Sequence, residues 1–233
     1  MNCLPIVQKS SQNPAGIAKL GALWCKTEGV TAVDPEPAAA RRRGRPGYDR
    51  DEVLAAAVTL FNEQGYDATS VADLAARLGL TKSAMYHHFS SKEELLEMAL
   101  GVALDGLEGV LVEPEATRGT AAERLHFVLR AAVQVLLDRL PYVTLLLRVR
   151  GNSAVERAAL ERRRAFDHEM ALLVREAQAS GSLRPDVDSA IVTRLIFGML
   201  NSTIEWYRPT GSIDRDALTH DILTVAFDGI SPR

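Results

Sequence analysis

The feature that most constrains the fold is a spacing of three to four residues between apolar side chains, which continues from Val53 almost to the end of the chain. Such spacing places apolar side chains on one face of an α-helix, whereas a half-buried strand would alternate every second residue. The sequence contains neither an alternating segment nor a repeat of fixed period. It therefore predicts an all-α fold.

Capping residues divide this pattern into about nine helices. Asp49 and Glu52 have the spacing of a capping box, Tyr48 and Val53 stand at the positions of a hydrophobic staple, and Gly65 ends the first helix. The residues expected to begin or end the next three helices are Ser70, Gly79, Thr81 and either Ser90 or Ser91. Later helices are expected over residues 120–138, 142–149, 153–180, 187–207 and 214–229.

Three regions are expected along the chain. Residues 1–45 have no sustained period and are expected to form a disordered leader that ends in a basic arm, although a misassigned start codon would also account for them. Residues 46–93 are expected to form a compact head of three helices, and residues 94–233 a larger helical body. Within the arm, Arg43 and Arg45 belong to a run of arginines that could follow a nucleic-acid groove or simply be solvated.

Composition and motifs weigh against several classes of protein. No apolar run approaches the roughly 18 residues of a membrane span, and no secretory signal is recognisable, so a cytoplasmic location is the default expectation. Cys3 and Cys25 lack the spacing of a zinc site or a disulfide framework. His87 and His88 are about 100° apart on a helix and cannot share a metal ion. With no hydrolase or nucleotide-binding motif present, we expect no enzyme, no metal and no cofactor.

The segment "TSVADLAARLGLTKSAMYHHF", residues 69–89, places two short helices around Gly79. Small Ala75 stands where the two helices must approach, and the leucines of the segment face inward. This arrangement is typical of a helix-turn-helix, in which one helix braces the second in the major groove of DNA. Spacing alone would also fit a helical hairpin inside a bundle.

Residues 48–95 closely resemble the N-terminal domain of TetR-family transcription regulators. The matching pieces are "AAAVTLFNEQGYDATSVADLAARLGL", "TKSAMYHHF" and "SKEELL". The resemblance implies base contacts from the start of the third helix and phosphate contacts around it. Carried over by position, the implied DNA-binding residues are Ser70, Thr81, Lys82, Ser83, Ala84, Tyr86, His87, His88 and Lys92, with His88 either a backbone contact or a packed helix end.

The resemblance also implies that the body binds a small effector. The residues expected to line its pocket are Leu107, Leu129, Leu146, Arg148, Phe166, Met170, Phe197 and Trp206. An apolar set at helical spacing is more often plain core than pocket. The segment "NSTIEWYRPTG" resembles family members that control lipid, sterol or aromatic-acid breakdown. The effector is therefore expected to be a hydrophobic molecule or an acyl-CoA.

Two apolar stripes near the end of the chain suit a four-helix bundle between two subunits. The residues expected in this homodimer interface are Ile191, Leu195, Met199, Leu218, Ile222 and Val225. Such a dimer would bind a pseudo-palindromic operator as a repressor, and the effector would release it by moving the fourth helix. An activator, a metabolite sensor acting through protein partners, and an enzyme on a helical bundle are the alternatives.

Overall fold

The structure, a computed structural model, describes residues 49–229. The predictions for the leader, for Arg43 and Arg45 in the basic arm and for the staple residue Tyr48 lie outside the described residues. The described part of the chain contains ten α-helices and no strand. They are α1 (Arg50–Gln64), α2 (Val71–Leu78), α3 (Lys82–His88), α4 (Lys92–Leu111), α5 (Pro114–Thr117), α6 (Ala121–Asp138), α7 (Leu140–Arg148), α8 (Ala154–Ala179), α9 (Ser189–Trp206) and α10 (Arg215–Asp228).

The helix starts predicted at Asp49, Ser70 and Thr81 are confirmed by their capping hydrogen bonds. Asp49 accepts from the backbone N–H of Glu52 at 2.7 Å, and the Glu52 carboxylate accepts in return from the Asp49 N–H at 3.0 Å. At the start of α4, Ser91 Oγ accepts from the Glu94 N–H, which decides between the two serines considered for this cap. These caps satisfy N–H groups that the first turn of a helix leaves unpaired.

The observed helices differ in two ways from the sequence prediction of about nine helices. The four-residue helix α5 was not expected, because it is too short to carry an apolar period. Helix α7 begins at Leu140 rather than at residue 142, so Pro141 lies inside its first turn. Proline is tolerated there because the first N–H groups of a helix have no acceptor within the helix.

The long helix α4 connects the head to the body. It packs against α1 in the head and against α6, α7 and α8 in the body. Leu96, Ala99 and Ala103 are among its buried side chains that belong to one apolar cluster, which continues from the head into the body. No described helix combines the length and the apolar composition that crossing a membrane would require.

Two arginines hold α4 against its neighbours in the body. The Arg162 guanidinium of α8 donates to Glu108 at 2.8 and 2.6 Å and to Asp105 at 2.6 Å. Between α6 and α7, Arg139 Nη1 donates to the backbone carbonyl of Val102. Arg139 reaches α4 beside Gly106, where a Cβ atom would lie 2.5 Å from its Nη1.

Candidate nucleic-acid interface and effector cavity

The turn between α2 and α3 fixes the angle between these helices. Gly79 adopts the left-handed conformation at φ 62°, and the N–H of the next residue, Leu80, donates back to the carbonyl of Ala75 at 2.8 Å. A side chain at a positive φ would be strained, so glycine suits this turn. The Thr81 hydroxyl then caps α3 by accepting from the N–H of Ala84 at 3.1 Å.

Helix α3 presents most of its predicted DNA-binding side chains to solvent. Lys82, Ser83, Tyr86 and His87 are exposed, whereas Ala84 and His88 are half-buried. The Tyr86 side chain is 54% exposed, a high value for an aromatic residue. A lysine ammonium, hydroxyls and an imidazole on one protruding helix can contact base edges and phosphates.

The opposite face of α3 anchors the helix in the core of the head. Met85 and Phe89 are 1% and 4% exposed and pack in the same apolar cluster as Leu74 and Leu78 of α2. Arg50 of α1 lies over the Phe89 ring at 5.1 Å and donates to Glu94 of α4 at 2.6 Å. This packing places a short helix in a defined position.

The structure gives Lys92 contacts within the head that the sequence did not predict. Its ammonium points inward and donates to the backbone carbonyls of Tyr66 and Thr69, both at 3.0 Å, from a position 4.2 Å above the Tyr66 ring. Two of its three N–H groups are therefore used to close the loop between α1 and α2. The third N–H group could still reach an outside acceptor, and the phosphate contact of Lys92 stays a prediction.

Two hydroxyls predicted to contact DNA, those of Ser70 and Thr81, also cap helices. Ser70 Oγ accepts from the Asp73 N–H at 3.2 Å and donates to the Asp73 carboxylate at 2.6 Å. These bonds hold the pKa of Asp73 below its ordinary value. Thr81 retains its hydroxyl proton for an outside acceptor, since Oγ1 serves only as an acceptor in its cap. Phosphate contacts from Ser70 and Thr81 stay predictions.

A cavity of about 30 Å³ lies among α4, α6, α7, α8 and α9. The predicted pocket residues that line it are Leu107, Leu146, Phe166 and Phe197. The Phe166 and Phe197 rings meet edge to face at 5.5 Å. The other lining residues of the cavity are Leu136 and Arg163, together with Ala132, Val143, Leu147, Asp167, Leu200 and Asn201, which the prediction for the pocket left out.

Four other residues predicted for the pocket lie elsewhere. Leu129 and Met170 are fully buried in a neighbouring apolar cluster, and Trp206 is 49% exposed at the end of α9. Arg148 extends from α7 towards the head, where its Nη1 donates to the Asn62 backbone carbonyl at 2.8 Å. The four residues lie outside this cavity because an apolar or cationic residue type does not specify which of several helix faces it will meet.

Three polar residues, Arg163, Asp167 and Asn201, line the cavity. Burial raises the pKa of the Asp167 carboxyl, and the charges of Arg163 and Arg194 oppose that rise. Helical spacing could have identified these polar residues as cavity residues. Asp167 is four residues after Arg163, and Asn201 is four residues after Phe197, so each pair shares one helix face. The cavity thus combines apolar walls with ionisable side chains.

The predicted dimer residues fall into two groups. On α9 and α10, Leu195 is 66% exposed, Ile191 43% and Val225 41%, while Met199 is half-buried. Leu218 and Ile222 are instead 7% and 8% exposed and belong to the core of the single chain. Their part in a dimer interface stays a prediction, whereas their packing inside the single chain is observed. The apolar stripe of α10 faces inward, against α6.

Comparison with known proteins agrees with this architecture. The family described as bacterial regulatory proteins of the tetR family matches residues 53–99, and the family described as tetracyclin repressor-like, C-terminal domain, matches residues 118–230. The HTH-type transcriptional repressor KstR2 of Mycolicibacterium smegmatis is 30% identical over 190 residues, which cover 80% of this chain and 93% of that protein.

Solved structures extend the comparison. SCO3833 of Streptomyces coelicolor A3, a member of the TetR transcriptional regulator family, is 49% identical with a TM-score of 0.74, over 77% of this chain and 91% of that one. AibR, solved in complex with isovaleryl coenzyme A and operator DNA, shares the fold with 23% identity and a TM-score of 0.64, over 76% of this chain and 97% of that one. From its two family domains, its relatives and its helix-turn-helix, this chain belongs to the TetR family of transcriptional regulators.

Proposed function

We propose that the protein is a homodimeric repressor that binds a pseudo-palindromic operator and is released from it by a small effector. The observation that carries the proposal is the outer face of α3, where Lys82, Ser83, Tyr86 and His87 are exposed above the buried Met85. Lys82 can donate to guanine O6 and N7, and Ser83 can bond several bases. Tyr86 and His87 would contact phosphates beside them.

Selection of bound duplexes from a random DNA library tests this function. A dimer should enrich two half-sites in inverted orientation, with centres about one helical turn apart or slightly more. The bound complex should weaken steeply with salt as phosphate counterions are released. If the selection enriches no DNA sequence, the result would instead favour a metabolite sensor that acts through protein partners.

We infer that the effector binds in the cavity of the body with an apolar portion against Phe166 and Phe197. Its polar end would accept hydrogen bonds from Arg163 or Asn201. A volume of about 30 Å³ holds only one or two water molecules, whereas ligand pockets are typically about 300–1,000 Å³. Effector entry therefore requires α7, α8 or α9 to move apart. A ligand that binds the opened body better than the closed one would shift the population towards it.

A thermal-shift screen distinguishes the two effector classes that fit this cavity. One arm contains acyl-CoAs of increasing chain length, and the other contains uncharged lipophilic molecules. A ligand at one hundred times its Kd should stabilise the folded dimer by about 2.7 kcal/mol. A real effector must also lower the affinity for the selected operator; a stabilising ligand that leaves this affinity unchanged would contradict the release mechanism.

A further inference from the structure

Asn62, in the last turn of α1, is bonded to both ends of α7. Its side-chain Nδ2 donates to the carbonyl of Pro141 at 2.8 Å, and its own backbone carbonyl accepts from Arg148 Nη1 at 2.8 Å. Pro141 lies in the first turn of α7 and Arg148 is its last residue. One residue of the head is therefore hydrogen-bonded to both the first turn and the last residue of a nine-residue helix of the body.

The loop after α7 reinforces this connection. The Glu156 carboxylate is buried and accepts the N–H groups of Arg150, Gly151 and Asn152 at 2.9, 2.8 and 3.1 Å. From the loop held in this way, Asn152 Nδ2 donates to the Asp67 carboxylate of the head at 3.4 Å. The connection from the head to α7 is thus continued by an ordered loop.

Opposite faces of α7 meet the head and the cavity. Residues 141, 145 and 148 share one face at about 100° per residue, and they contribute Pro141, Leu145 and Arg148 to the side near α1. Val143, Leu146 and Leu147 lie on the other face and line the effector cavity. A displacement of α7 by a ligand would therefore act directly on the two hydrogen bonds of Asn62.

We propose that α7 and Asn62 form a second route, parallel to α4, by which the state of the cavity is transmitted to the DNA-binding head. This inference rests on the proposed function, since it concerns how the same cavity controls operator binding. Asn62 is a positioning residue in this scheme: it touches neither the DNA nor the effector. Because coupling between two sites is reciprocal, DNA bound at α3 should also restrain α7.

Hydrogen exchange of the full-length dimer, with and without the duplex selected from a random library, tests the proposal. The readouts are the protection of α3 and of the amides of Thr144–Arg148 in α7. The variants are Asn62→Ala and Arg148→Ala, each of which removes one of the two hydrogen bonds between Asn62 and α7. A third variant, Arg148→Lys, keeps a donor. Gln64→Ala, also on α1 but exposed, is the matched control.

In wild type and in Gln64→Ala, the duplex should slow exchange in both helices, with α7 slowed by about threefold to tenfold, the effect expected from one or two hydrogen bonds. Asn62→Ala and Arg148→Ala should keep the protection of α3 and lose most of that of α7, and Arg148→Lys should recover part of it. Protection of α3 with unchanged α7 exchange in wild type would overturn the inference, and so would α7 protection in both alanine variants equal to that of wild type. Loss of α3 protection in wild type would overturn the proposed function and this inference with it.

Discussion

The side-chain ammonium of Lys92 donates a hydrogen bond to the backbone carbonyl of Thr69, which is almost fully buried. The same ammonium bonds the carbonyl of Tyr66 and lies over its ring. Burial, followed by the charges of Glu93, Asp67 and Glu156, raises the pKa of the Tyr66 hydroxyl to about 12, so the ring beneath Lys92 stays neutral at physiological pH. Lys92 therefore holds the loop that connects α1 to the helix-turn-helix.

Replacing Lys92 with methionine should lower the free energy of unfolding by about 1.5–3 kcal/mol, because charged hydrogen bonds to two carbonyls are lost. Urea unfolding of the variant and wild type measures this difference. A phosphate contact would behave differently: stability would be unchanged, while the salt slope of DNA binding would fall by about one. That second result would support the phosphate contact of Lys92 predicted from the sequence.

The contribution of Glu156 to the free energy of unfolding depends on pH. Burial opposes ionisation of its carboxyl, but the N–H groups of Arg150, Gly151 and Asn152 and the nearby Ser153 outweigh burial and lower its pKa. A carboxyl with a lower pKa when folded stabilises the native state above its unfolded pKa, and this stabilisation is lost as the pH falls through the folded pKa.

We therefore expect Glu156→Gln to cost about 2–3 kcal/mol of unfolding free energy at neutral pH, where three N–H groups lose a charged acceptor. The difference from wild type should shrink as the pH falls below about 4.5, the ordinary glutamate value. Chemical denaturation at several pH values measures it. A difference that stays constant down to strongly acidic pH would contradict this account.

Glycines in α4 should respond in opposite ways to the same substitution. A Cβ at Gly106 would lie 2.5 Å from Arg139 Nη1 and 3.0 Å from Val135 Cγ1, whereas a Cβ at Gly101 meets only Asp105 Oδ2 at 3.9 Å. Gly101→Ala should stabilise the fold by about 0.5–1 kcal/mol through helix propensity. Gly106→Ala should lose this gain because it displaces Arg139 from the Val102 carbonyl.

The two alanine variants should therefore differ by about 1–2 kcal/mol in unfolding free energy, with Gly106→Ala the less stable. Thermal and urea unfolding measure the difference, and equal stabilisation by both substitutions would show that Arg139 and Val135 move aside without cost.

Side chains on α3 should separate base recognition from phosphate contact. Lys82→Ala should weaken operator binding by about 1–3 kcal/mol and relax the sequence preference at one position of each half-site. Tyr86→Phe removes an exposed hydroxyl and should weaken binding to all sequences alike. Fluorescence anisotropy with the selected operator and with its single-base variants measures both effects. A uniform loss in Lys82→Ala would make Lys82 a phosphate contact.

The exposed side of α9 should control the oligomeric state. Leu195→Asp places a charge on a side chain that is 66% exposed in the single chain and should dissociate the dimer without unfolding it. Val112→Asp, at an 80% exposed position after α4, is the matched control and should leave the dimer intact. Leu218→Ala should instead destabilise the fold by about 2–5 kcal/mol, since Leu218 is a core residue. Sedimentation of the two aspartate variants measures the oligomeric state, and urea unfolding measures the stability of Leu218→Ala. A dimeric Leu195→Asp protein would exclude this face.

The sequence by itself determined the helices and the helix-turn-helix of this protein. Caps such as Asp49 with Glu52, and the turn at Gly79, are interactions within a few residues, so their spacing carries nearly all the information needed. The missed helix α5 and the early start of α7 at Leu140 mark where short elements carry too little periodicity.

The tertiary structure decided which face of each helix meets which neighbour. Lys92 is 26 residues from Tyr66, and Arg148 is 86 from Asn62, so no local pattern could indicate either hydrogen bond. The inward turn of Leu218 likewise depends on how α10 packs against α6. Periodicity fixes that a stripe is apolar, but only the packing of distant helices decides whether that stripe faces the core, the cavity or a second subunit.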